Sequence, residues 1–233
     1  MSALPYRTAL IVGAGPGISA SLARALRARG LEVAVAARDV VKLAALASET
    51  GVHALRVEAS SPDSVAALFR SAAERLGDID VVAYNASARL RGSLLELDPA
   101  AVQQALAVSA FGGFLVAQQA AARMVPRGRG AILFTGASAS VKGFAQSAAF
   151  AMGKFALRGL AQSAARELGP RGIHVAHFII DGAVRSASLS QLGDQPDSTL
   201  DPDAIAQSYL DVLGQPRSAW SMEVELRPWV ERF

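Results

Sequence analysis

The sequence predicts an α/β protein built on a doubly wound, mostly parallel sheet of about seven strands with helices on both faces. Three observations carry that expectation. Apolar, β-branched runs alternate along the chain with longer Ala/Leu/Arg stretches of helical period. The first such run feeds a glycine-rich turn and then a helix. The composition is 52% hydrophobic but only 6% aromatic, with Ala and Val prominent, which suits helices packed closely on a sheet buried on both faces.

In chain order, residues 8–12 form a strand and 17–29 a helix stopped by Gly30. Residues 32–36 form a second strand, after which Asp39 can cap a helix reaching about Glu49. Residues 53–57 are strand three. Ser61-Pro62-Asp63 opens a helix that ends near Gly77, because Pro fits a first helical turn and Gly a helix end. Residues 80–84 are strand four, 100 to about 125 a long helical region, and 131–134 strand five. Residues 147–168 make a helix closed by Gly169-Pro170, followed by strand six over 174–180. Residues 202–213 are helical, and 221–226 alternate polar and apolar as an edge strand would. The polar stretch 182–198 reads as a mobile loop. The 233 residues suit one domain spanning 1–233.

Bulk properties narrow the function. The formal net charge is only +3. The most basic segment (Arg123, Arg127, Arg129) reads as a solvated turn, so no nucleic-acid partner is expected. Without cysteine, disulfides and thiolate metal sites are excluded, and no His/carboxylate spacing suggests a metal. No stretch is expected to span a membrane, and the first residues do not resemble a cleaved leader, so a cytoplasmic location is expected. His53 and His174 begin strands, where solvated rings are expected, and His177 lies deeper, as a core histidine. Trp220, Trp229 and Phe233 gather near the end of the chain.

The first strand runs into Gly13-Ala14-Gly15-Pro16-Gly17-Ile18. A strand before and a helix after are the context in which glycines let a pyrophosphate approach backbone N–H groups at a helix start. Strand two ends in Ala36-Ala37-Arg38-Asp39. A carboxylate at the strand tip would suit the ribose hydroxyls of NAD, whereas Arg38 can pair with a 2′-phosphate. NADP(H) is therefore the preferred coenzyme, and the neighbouring Asp39 leaves NAD(H) open.

Further segments, taken in order and spacing, resemble the short-chain dehydrogenase/reductase family along nearly the whole chain. Gly13-x3-Gly17-Ile18 is similar to its first motif, with Ser19 where the last Gly usually sits. Tyr84-Asn85-Ala86-Ser87 is similar to Asn-Asn-Ala-Gly, Phe150-x3-Lys154 to Tyr-x3-Lys, and Asp181-Gly182 to Pro-Gly. The resemblance implies a Rossmann-like dinucleotide-binding domain and, position by position, a coenzyme set. Gly13, Gly15, Pro16, Gly17 and Ile18 would hold pyrophosphate and ribose, and Glu58 and Ala59 the adenine. Asn85, Ala86, Ser87 and Lys154 would line the inner ribose, with Gly182 and Val184 at the nicotinamide carboxamide. It also implies a homodimer or homotetramer formed through the long helices after strands four and five.

The chemical half of the motif is broken. The resemblance implies a Tyr that donates a proton while a Lys four residues later lowers its pKa, one helical turn away. Here Phe150 occupies the Tyr position, Ser109 that of the usual Asn, and Ala137 that of the usual Ser, with Ser138 beside it. Lys154 alone stands unaltered. Either another group supplies the proton (Ser138, Ser147, Lys142, Tyr84, or Lys154 through water), or the chain is a non-catalytic NADP(H)-binding sensor or scaffold. The first reading makes it an oxidoreductase acting on a carbonyl or alcohol, of unspecified substrate.

Overall fold

A computed structural model describes residues 4–186, 189 and 195–231. Seven strands, β1 (Thr8–Val12), β2 (Glu32–Ala37), β3 (His53–Arg56), β4 (Val81–Tyr84), β5 (Gly130–Thr135), β6 (Ile173–Ile180) and β7 (Glu223–Leu226), form one sheet in the order β3-β2-β1-β4-β5-β6-β7. Every strand pairing is parallel, including the edge strand β7. The order reverses between β1 and β4, and the crevice beyond the carboxyl ends there is where such sheets bind ligands.

Alternation along the strands builds two cores. Ala9 and Ile11 of β1 face one side with Val33 and Val35 of β2, covered by α1 (Ile18–Ala28), α2 (Ala44–Thr50) and α7 (Pro202–Leu213). Leu10 and Val12 face the other, under α3 (Pro62–Leu76), α5 (Gly112–Met124) and α6 (Ala148–Leu168). Ser61 caps α3 by accepting from the Ser64 N–H at 3.3 Å, and the helix stops at Gly77. Asp39 accepts from the Val41 N–H at 3.1 Å, though a single 3-10 turn precedes α2.

Several expectations change. The long helical region is not one α-helix: α4 (Pro99–Leu106) passes through a π turn, Ala107–Phe111, into α5. The run Pro99–Arg127 is also long and apolar enough to cross a membrane, with mean hydropathy 1.6. Its apolar character has a local cause, since one side lays Leu115, Val116, Ala120 and Met124 on the sheet while Phe111 and Phe114 stack on the other. The arginine turn is a clamp rather than a solvated surface. Arg127 and Arg129 each reach the buried Asp80 carboxylate at 2.9 Å, and the Arg123 guanidinium lies over Phe69. His174 is buried, its ring stacked on Trp220 with centroids 4.6 Å apart, while Trp229 is exposed and Phe233 lies outside the described residues. Of the 182–198 stretch, residues 187–188 and 190–194 also lie outside them, and the rest carries only isolated bridges.

Candidate active site

The glycine loop is fixed by its neighbours before any ligand is considered. Gly13 adopts φ +88°, and a Cβ there would collide with the backbone of Ala86, so the loop lies directly on the end of β4. The Gly13 and Ala14 N–H groups both donate to the Ala36 carbonyl at 2.9 Å. Ser19, at the position of the resemblance's last Gly, donates to the Gly13 carbonyl at 3.2 Å and accepts from the Asn85 amide at 2.7 Å. Gly15 and Gly17, by contrast, face open space where a Cβ would meet nothing within 4 Å. That is a cradle with room for a ligand against bare backbone, at a helix start whose first N–H groups have no partner within the helix.

Two adjoining clefts open from this loop and share Asn85 and Ser87. The smaller, about 340 Å³, is lined by Gly13, Gly15, Pro16, Arg38, Glu58, Ala59 and Ala86. Lys42, which the sequence reading passed over, joins Arg38 there. Its Nζ lies 3.7 Å from Asp39, a surface ion pair beside Arg38. A second basic residue four positions after Arg38 was the available signal.

The larger cleft, about 710 Å³, is lined by Ile18, Ser138, Ser147, Phe150, Lys154, Gly182 and Val184, among others. Of the sequence-predicted coenzyme residues, only Gly17 lines neither cleft. Lys154 is carried by α6 into the sheet end, where its Nζ donates to the Thr135 carbonyl at 2.8 Å. Burial pushes its pKa down to about 8. The Phe150 ring lies near two cations, with Lys154 Nζ 5.8 Å and the Arg89 guanidinium 5.4 Å from its centroid.

The candidate proton donors separate on their partners. The Tyr84 phenol is buried and donates to the Val108 carbonyl, and burial raises its pKa, so it faces the core rather than either cleft. Lys142 is ion-paired with Asp181 at 3.5 Å rather than simply solvated. Burial would raise the Asp181 pKa, but a hydrogen bond from Ser138, together with Lys142 and Arg227, outweighs it and holds that carboxyl lowered. Ser138 thus sits beside Asp181. Ser147 occupies the N-cap position of α6, yet its side chain makes no capping hydrogen bond. Ser147, Phe150 and Lys154, spaced three and four apart, share one helix face. Ser109 accepts from the Ala88 N–H at 3.1 Å, a structural bond made from the π turn. His177 is wholly buried between Ser140 and Glu223, and burial pushes its pKa down to about 4, as befits a neutral core histidine. Among the described residues no group of three or more His, Asp or Glu could hold a metal.

A family model described as short chain dehydrogenase matches residues 7–197. The chain belongs to that family. This short-chain dehydrogenase is 29% identical over 223 residues to a (21S)-21-acetoxyl-apo-melianone synthase of Melia azedarach, covering 89% of this chain and 82% of the relative. It is 28% identical over 224 residues to an L-2,3-butanediol dehydrogenase of Corynebacterium glutamicum, covering 90% and 86%. Among solved structures, a short-chain dehydrogenase from Rhodopseudomonas palustris superposes with TM-score 0.82 at 35% identity, covering 96% of this chain and 99% of that one. A metagenomic short-chain oxidoreductase in complex with NADP gives TM-score 0.84 at 27% identity, covering 99% and 100%.

Proposed function

We propose that this chain is an NADP(H)-dependent oxidoreductase that interconverts a carbonyl and an alcohol without the usual phenol. One observation carries the reading: the two clefts meet at Asn85 and Ser87, with Arg38 and Lys42 at one end and Lys154 at the other. Gly13, Gly15, Pro16, Gly17 and Ile18 would hold the pyrophosphate and ribose, and Glu58 and Ala59 the adenine. Arg38 and Lys42 would hold the 2′-phosphate. Asn85, Ala86, Ser87, Lys154, Gly182 and Val184 would orient the nicotinamide end. That NADP-bound structures occur among the similar proteins supports the preference over NAD(H).

The bound coenzyme would supply hydride to the substrate carbon. The chain's own task is the proton. With Ser138 set beside Asp181, the Ser147 hydroxyl, which makes no capping hydrogen bond and shares a helix face with Phe150 and Lys154, delivers the proton to the carbonyl oxygen. Lys154, titrating near neutral pH, resupplies it through water in the cleft. Phe150 keeps the shape of a ring at that position and excludes solvent.

NADPH fluorescence titration followed by a carbonyl panel tests this. Turnover by the unaltered protein that falls with Ser147→Ala and Lys154→Ala supports the proposed route. Tight NADPH binding with no turnover by any unaltered sample supports instead the sensor or scaffold reading, which the missing phenol favours. Absence of coenzyme binding would overturn both.

We also propose that a second copy of the chain covers the outer face of α5 and α6. Phe111, Phe114, Met152 and Phe155 are exposed there, an apolar face of the kind that marks an interface. Sedimentation should give a dimer or tetramer that Phe114→Glu with Phe155→Glu dissociates.

A further inference from the structure

Resting on the oxidoreductase reading, we infer that the large cleft takes a carbonyl compound bearing an oxyanion, a carboxylate or a phosphate, which Arg89 and Arg91 receive at its mouth. Three cationic side chains line this cleft (Arg89, Arg91 and Lys154), and among the described residues no carboxylate does. Asp181, which pairs with the neighbouring Lys142, is also paired with Arg227. Among the described residues neither Arg89 nor Arg91 forms an ion pair.

The two arginines are carried on an anchored segment rather than a free loop. Ala88 N–H donates to Ser109 at 3.1 Å on one side, and Gly92 N–H donates to the Gln146 carbonyl at 3.1 Å on the other. Gln146 itself takes a left-handed φ of +60°, an uncommon conformation for a residue with a side chain, and it lines the same cleft. Arg89 is further steadied by the face of Phe150, 5.4 Å from its guanidinium. A phenyl ring at position 150 thus serves as a platform for a cation. A guanidinium steadied in this way is suited to donating paired hydrogen bonds to an oxyanion. The coenzyme phosphates do not account for these two residues, because Arg38, Lys42 and the glycine loop lie along the other cleft.

The experiment uses three probes that share a ring and an aldehyde: para-formylbenzoate, para-formylphenyl phosphate and the neutral methyl para-formylbenzoate. Each is titrated calorimetrically into the protein with and without NADP+, at low and high salt. At least one anion should bind about tenfold or more tighter than the ester, with the advantage shrinking in salt, as charge-assisted contacts require. The preferred anion identifies the oxyanion as carboxylate or phosphate. Arg89→Ala with Arg91→Ala should bring anion and ester within about twofold of each other, while the double Lys variant retains part of the preference. Both arginines are exposed, so folding and NADPH affinity should be unchanged. Equal binding of anions and ester, no anion binding, or a preference that survives the double Ala variant would overturn the inference. Loss of NADPH binding by the unaltered protein would instead overturn the oxidoreductase reading, and the coenzyme-free titrations keep the two failures apart.

Discussion

The two clefts of this molecule have been treated very differently by its sequence. The smaller one keeps nearly every feature that a dinucleotide needs: a backbone-lined glycine turn, a helix start, and two basic side chains at its far end. The larger one holds the buried Lys154, with Phe150 and Ala137 where the family resemblance implies a phenol and a hydroxyl, and Ser109 behind it where the resemblance implies an amide. On the proposed reading the difference teaches that coenzyme recognition would rest largely on backbone and packing, where Gly13 tolerates no Cβ. Proton delivery rests on single side chains, which can be exchanged without disturbing the fold.

The sharpest way to break the comparison is Phe150→Tyr. If a phenol there is a better acid than the Ser147 route, carbonyl reduction should rise, by at most the about 10²–10⁴ that a positioned proton donor is worth against none, in an NADPH-oxidation assay. An unchanged rate would mean that the cleft has lost more than a phenol.

Next in size is the cost of keeping Lys154. Burial lowers its pKa from the ordinary 10.5 to about 8, so between those pH values the unfolded chain binds the extra proton and stability rises with pH. Lys154→Met should therefore be the more stable protein near neutral pH, by at most about 3 kcal/mol, with the gap closing as the pH climbs toward the unfolded value. Urea denaturation across that window checks it. A pH-independent difference would show that the ammonium is not paying for burial.

The coenzyme end should respond more modestly. Removing Arg38 and Lys42 together should weaken NADPH about tenfold to a hundredfold while leaving NADH nearly untouched, because only the 2′-phosphate loses its partners. Equal losses for the two coenzymes would contradict the assignment. Smallest of all is Tyr84→Phe. Its hydroxyl serves the Val108 carbonyl, so stability should fall by about 1 kcal/mol and turnover should stay within about twofold. A large loss of rate would restore this phenol to the chemistry.

Much of this was legible in residues alone. The succession of strands and helices, the loop at Gly13 and Arg38 after strand two follow from periodicity and spacing, and the gap at Phe150 from the family resemblance. His174 was not legible, since a strand-start histidine gives no sign that Trp220, 46 positions on, will cover it. Nor was the arginine turn, whose charges meet a buried Asp80 just before β4. Ser138 and Ser147 looked equivalent as donors until their surroundings separated them.

By itself the sequence determined the layering and the coenzyme cradle, because alternation, helical period and glycine placement act through neighbours within a few residues. Only the tertiary structure decided which hydroxyl sits beside Asp181, which lysine is buried and which arginines face the cleft. Those properties depend on groups brought together from distant segments, where burial and charge are set by what packs alongside rather than by what precedes or follows in the chain.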